Sequence, residues 1–136
     1  MLKLGDAAPD LGLKGPHLVW FWKDGCATAR TAAPFALRIG KALPLLVVSQ
    51  DGTSPPEGAA PGELRDDSAQ LRLSRTFAPP SVPAAFLVAE GRIDRAVLGW
   101  SRDDYNALAR RAAALAGAEP FEVSHPGDGA PPFRPG

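Results

Sequence analysis

The sequence predicts an α/β domain with a four-stranded mixed sheet and helices on both of its faces. Residues 18–22 and 43–49 are apolar runs of the length expected for buried strands, and a helical stretch over residues 28–41 separates them. Two strands joined through a helix are expected to be parallel, with a right-handed crossover. Residues 84–88 and 93–98 flank a short Glu-Gly turn, which predicts an antiparallel hairpin.

Capping and breaking residues predict the helix boundaries. Pro34 lies inside the first helix, where it removes one backbone donor. A second helix is predicted over residues 67–77, and the two prolines after it end it. Ser101 and Asp104 have the spacing of a capping box and open a last helix, which Gly117 ends.

Length and charge limit the classes of function. The chain of 136 residues has the size of one domain, which we place at residues 1–117. Residues 118–136 are rich in proline and glycine and have no period, so we expect a flexible C-terminal tail. The 15 basic and 15 acidic residues balance, which gives no electrostatic argument for nucleic acid or an anionic membrane. The first residues lack the apolar region of a secretory signal, and no segment approaches the length of a membrane span, so we expect a cytoplasmic protein.

Cys26 is the only cysteine, and its surroundings favour a reactive thiol. It follows an apolar strand and a short polar turn, and it precedes a helix. The free N–H groups and the dipole of a helix N-terminus favour the thiolate, which is the nucleophilic form. The alternative is a small buried residue, as free cysteines often are. A single cysteine excludes an internal disulfide and argues against a cysteine-based metal site, so we expect neither a metal nor another cofactor.

Four stretches, in order along the chain, resemble the redoxin branch of the thioredoxin superfamily, the thiol–disulfide oxidoreductases of the TlpA and ResA type. Residues 5–10 are similar to the G-x-x-A-P-D opening of that family, and residues 21–30 with Pro34 are similar to its F-W-A-x-W-C-x-x-C-R-x-x-x-P motif. Residues 81–88 are similar to V-P-T-T-F-L-I, and residues 91–99 are similar to the G-x-I hairpin that follows it. The resemblance implies a thioredoxin-like fold over about residues 5–116.

The resemblance also implies roles for individual residues. Cys26 matches the catalytic nucleophile, and the proline of the third stretch is expected to be cis and to face it. The residues expected to form the binding site around the thiol are Trp22, Asp24, Gly25, Ala29, Arg30, Val82 and Pro83. Two departures concern function: Ala29 stands where the family has its resolving cysteine, and Gly25 stands where it has a tryptophan.

Three hypotheses about function remain open. The first is a monothiol thioredoxin-like protein, in which Cys26 carries out thiol–disulfide exchange and an external thiol resolves it. Its partner would be a protein or a low-molecular-weight thiol or disulfide. The second is a redox-inactive binding module that holds an extended peptide beside Val82 and Pro83. The third is a C-x-x-C oxidoreductase in which Ala29 is a Cys-to-Ala substitution that traps mixed disulfides.

Overall fold

The computed structural model describes residues 1–52 and 55–136. The strands are β1 (His17–Trp22), β2 (Leu45–Ser49), β3 (Leu64–Asp66), β4 (Ala84–Ala89), β5 (Arg92–Leu98), β6 (Trp100–Ser101) and β7 (Phe133–Arg134), and the α-helices are α1 (Ala27–Ile39), α2 (Arg72–Phe77) and α3 (Arg102–Ala116). None of the helices in the described part of the chain is long and apolar enough to cross a membrane.

Among the described residues, five strands form the central sheet in the order β3-β2-β1-β4-β5. Strands β1 and β2 are parallel, and β1 and β4 are antiparallel, as are β4 and β5. The mixed α/β sheet is therefore confirmed, with one strand more than the four predicted. The additional strand, β3, runs parallel to β2 at the sheet edge. It has three residues that are all at least partly exposed, so its sequence carries no apolar pattern that would reveal it.

The residues of β1 alternate between two apolar layers, one on each face of the sheet. Trp20 and Trp22 point to one face, where their rings stack with centroids 5.9 Å apart in the core beneath α1 and α3. Phe21 points to the other face and packs against Phe77 and Phe86, at 5.3 and 5.7 Å between ring centroids. This alternation is expected for a strand covered on both sides. The end of β1, which leads into the turn that follows it, is therefore anchored in the core on both faces of the sheet.

Helix α2 is shorter than predicted, since it begins at Arg72 rather than at residue 67. Leu71 has a left-handed backbone with φ 53°, which interrupts any helix before that point. The buried carboxylate of Asp67 accepts hydrogen bonds from the backbone N–H groups of Leu73 (3.1 Å) and Ser74 (2.8 Å). Asp67 therefore satisfies the first turn of α2 from outside the helix.

Residues 118–136 pack against the domain, where composition alone predicted a flexible tail. Strand β7 pairs antiparallel with β6. Asn106 of α3 accepts hydrogen bonds from the backbone N–H groups of Val123 (2.9 Å) and Ser124 (3.0 Å) and donates one to the Ser124 carbonyl (2.8 Å). Arg102 donates to Ser124 Oγ and to the Ala130 carbonyl. Because side chains of α3 satisfy its backbone, this segment keeps a defined path without periodic apolar residues of its own.

Candidate thiol site at the N-terminus of helix α1

Cys26 is the N-cap residue of α1 and follows the turn that leaves β1. Its backbone is extended (φ −91°, ψ 115°), as is usual for an N-cap. The backbone N–H of Ala29 lies 3.4 Å from Cys26 Sγ and donates to it. The sulfur thus takes the position that a serine or aspartate oxygen takes in an ordinary cap. The side chain is partly exposed, so the buried-cysteine alternative does not describe it.

The second contact of the thiol is with the loop before β4. Cys26 Sγ lies 3.6 Å from the carbonyl oxygen of Val82, to which an S–H group donates. The Val82–Pro83 peptide bond is cis, and Pro83 is buried. The protonated sulfur therefore has an acceptor in Val82, and the ionised sulfur has a donor in Ala29. Both protonation forms of the sulfur therefore have a hydrogen-bond partner.

The structure brings some of the expected site residues to the thiol and leaves others apart. Ala29 is fully buried one helical turn from the sulfur. Arg30 is exposed, and its guanidinium makes a very short hydrogen bond to the Asp24 carbonyl, which ties the turn to α1. Gly25 is exposed, and a β-carbon there would meet nothing within 4 Å. A side chain at that position would therefore extend into solvent.

Trp22 belongs to the core more than to the thiol site. It is 2% exposed, and its indole N–H has no hydrogen-bond partner within the described residues. It also lines a cleft of about 410 Å³ together with Asp24, Arg30 and Glu57. This cleft lies beside the turn that carries Cys26. A larger cleft of about 550 Å³ surrounds His17 at the opposite end of β1, and Cys26 does not line it.

Sequence reasoning missed the residues that the C-terminal segment brings to the site. Thr28, two residues after the cysteine, donates from Oγ1 to the carbonyl of Pro135 at 2.7 Å. Gly136 lies against the Val82 carbonyl, since a β-carbon built on it would be 2.5 Å from that oxygen. No sequence pattern indicates either contact, because the partners are more than 50 residues apart in the chain.

The carboxylates whose pKa values are perturbed lie away from the thiol. Hydrogen bonds from the Ser124 hydroxyl and the Ala130 backbone N–H hold the pKa of Asp128 well below its usual value. A bidentate hydrogen bond from Arg111 lowers the pKa of Asp94 on β5. The described residues contain no group of three or more histidine, cysteine, aspartate or glutamate side chains that could hold a metal ion.

Comparisons with known proteins identify the fold. No known protein-family profile matches the chain, and no curated protein matches it in sequence. Among solved structures, the thiol:disulfide interchange protein DsbE from Chlorobium tepidum superposes with a TM-score of 0.61 at 22% identity, covering 86% of this chain and 100% of that one. A thiol:disulfide interchange protein from Bacteroides sp. gives 0.60 at 22% identity, covering 86% and 92%.

A third structure, a thioredoxin-like protein from Parabacteroides distasonis, gives a TM-score of 0.61 at 15% identity, covering 86% of this chain and 96% of that one. Each of these structural similarities spans most of both chains, but the sequence identity is too low to show that the proteins catalyse the same reaction. What it shows is the architecture: the chain has a thioredoxin-like fold, the fold of thiol–disulfide oxidoreductases.

Proposed function

We propose that this protein carries out thiol–disulfide exchange through Cys26 as a monothiol, and that an external thiol completes each cycle. The observation that supports this proposal most directly is the environment of Sγ. Cys26 is partly exposed, and its sulfur caps α1 by accepting from Ala29 N and faces the Val82 carbonyl. The backbone N–H of Ala29 gives the thiolate that forms during exchange a hydrogen-bond donor.

The exchange runs in two balanced steps. The Cys26 thiolate attacks one sulfur of a partner disulfide, R–S–S–R, which forms Cys26–S–S–R and releases RS⁻. A second thiolate from solution, R′S⁻, then attacks the R sulfur, forms R–S–S–R′ and returns the Cys26 thiolate. The second step needs the external thiol because the chain contains no other cysteine. Free thiols are maintained in the cytoplasm, which is where we propose that the protein acts.

Incubation with an oxidised small thiol, read by intact mass, tests the first step. We expect one adduct per chain that dithiothreitol removes, and no adduct on Cys26→Ser. Turnover with excess disulfide and excess reduced thiol separates an enzyme from a binding module. An unmodified wild-type protein would contradict the proposal, and an adduct without turnover would favour the binding module.

The variant Ala29→Cys tests the correspondence of position 29 with a resolving cysteine. Residue 29 lies one turn from Cys26, and its backbone N–H already points at Sγ. We therefore expect Ala29→Cys to form an internal disulfide and to stop accumulating the small-thiol adduct. The matched control is Ala33→Cys, one further turn along the same helix face, where no disulfide with Cys26 is expected. An Ala29→Cys protein that keeps the adduct would show that position 29 is not in register with the family's second cysteine.

A further inference from the structure

The last six residues of the chain, 131–136, run from β6 to the loop that faces the thiol, and we call them the strap. The Thr28 hydroxyl donates to the Pro135 carbonyl at 2.7 Å. A β-carbon built on Gly136 would be 2.5 Å from the Val82 carbonyl oxygen and 3.0 Å from Ser81 Oγ. The same Val82 carbonyl is 3.6 Å from Cys26 Sγ. The strap therefore contacts the backbone group that the thiol contacts.

Backbone hydrogen bonds set the path of the strap. It pairs with β6 through β7, Trp100 Nε1 donates to the Pro131 carbonyl (2.6 Å), and the Arg102 N–H donates to the Pro132 carbonyl (2.9 Å). Gly99 permits this close approach. It has φ 68°, and a β-carbon on it would lie 2.9 Å from the Arg134 carbonyl oxygen. The strap is thus an extended segment that is hydrogen-bonded to β6 and to the first residue of α3.

Little apolar burial holds the strap in place. All six of its residues are exposed, and the Phe133 side chain is 64% exposed. The contacts that keep it closed near the thiol are the Thr28 hydrogen bond and the packing of Gly136 on Val82. A single hydrogen bond contributes a factor of about two to ten to such an equilibrium. Opening the end of the strap near the thiol would therefore break one hydrogen bond and one packing contact and leave the pairing of β6 with β7 in place.

We propose that the strap occupies the position that an extended peptide would take beside Val82, so that Cys26 exchanges with small disulfides in preference to disulfides on extended peptides. This inference rests on the proposed function, since it assigns the substrate class of the same thiol. An extended peptide that brings its sulfur to Sγ needs the backbone groups of the Ser81–Val82 loop. Gly136 of the strap already lies against the Val82 carbonyl, whereas a small disulfide needs only the sulfur itself.

Two probes with the same leaving group test the proposal. One is bis(2-hydroxyethyl) disulfide. The other is an uncharged eight-residue peptide whose central cysteine carries a 2-mercaptoethanol mixed disulfide. With the peptide probe, the Cys26 thiolate attacks the peptide sulfur, forms a Cys26–peptide disulfide and releases 2-mercaptoethanol as thiolate. Intact mass distinguishes the peptide adduct from the mercaptoethanol adduct. The ratio of the two adduct rates cancels any change in the nucleophilicity of the sulfur.

Two variants are designed to open the strap by different means. Gly136→Ala places a methyl group against the Val82 carbonyl, and Thr28→Val removes the hydroxyl that donates to Pro135 while keeping the shape of the side chain. We expect each to raise the ratio of peptide rate to small-disulfide rate by between about two- and ten-fold. The matched control is Gly62→Ala, where a β-carbon meets nothing within 4 Å, and its ratio is expected to equal that of the wild type.

The outcomes separate the two proposals. A ratio that stays at the wild-type value in both variants, with a normal small-disulfide rate, overturns the role of the strap and leaves the proposed function intact. A wild-type protein that reacts with both probes at equal rates does the same. If Cys26 reacts with neither probe in any variant, the proposed function fails, and the assignment of a substrate class fails with it.

Discussion

The amide side chain of Asn106 joins the C-terminal segment to helix α3, and its removal is expected to cost about 3 kcal/mol of stability. Its oxygen accepts from the Val123 and Ser124 N–H groups at 2.9 and 3.0 Å, and its nitrogen donates to the Ser124 carbonyl at 2.8 Å. Asn106 is 6% exposed, and both partner residues are 2% exposed. Asn106→Ala therefore leaves three buried backbone groups without their partner.

At about 1 kcal/mol for each hydrogen bond, the loss is about 3 kcal/mol, roughly a fifth to three fifths of the stability of an ordinary domain. Urea unfolding followed by tryptophan fluorescence measures it, and hydrogen exchange at Val123 and Ser124 shows where the structure opens. The control is Arg110→Ala, which removes an exposed ion pair with Glu122 between the same two elements. That change is expected to cost less than about 1 kcal/mol. An Asn106→Ala protein as stable as the control, with unchanged exchange at Val123, would refute the reasoning.

Three further changes test other parts of the fold. Hydrogen bonds from Ser124 and its neighbours lower the pKa of Asp128 in the folded protein. The ionised carboxylate therefore stabilises the fold at pH values above its unfolded pKa of about 3.9, and this stabilisation is lost as the pH falls through the lower folded pKa. The difference in unfolding free energy between wild type and Asp128→Asn should therefore shrink below about pH 4, and a difference that grows on acidification would contradict this. Ser101→Ala removes the N-cap of α3 and is expected to cost about 1 kcal/mol in thermal or urea unfolding, whereas no loss would show that the cap is replaced by water. Tyr105→Phe leaves the buried Trp20 indole N–H without its 3.0 Å acceptor, so urea unfolding should show a loss of about 1–3 kcal/mol, and an unchanged midpoint would contradict it.

Features set by local sequence were predictable. The continuous apolar runs of β1 and β2 carry their own signal, because a strand covered on both faces must be apolar at every position. The Ser101 cap and the Glu-Gly turn of the hairpin follow from backbone geometry within four residues. The place of Cys26 at the start of α1 follows from the same local pattern of strand, turn and helix. For these features, the physical cause lies next to its effect in the chain.

Other features depend on residues that are distant in sequence. Strand β3 has no apolar alternation, and it is a strand because β2 offers a free edge beside it. The contacts of Cys26 with Val82 and of Thr28 with Pro135 span 56 and 107 residues. Composition predicted a flexible tail because proline and glycine form no periodic apolar face, while the donors and acceptors that hold this segment belong to α3, β6 and α1. The sequence by itself determined the order of the main elements and the position of the thiol. Only the tertiary structure decided what packs against the loop that faces the thiol, because that depends on which unpaired backbone groups the fold brings together.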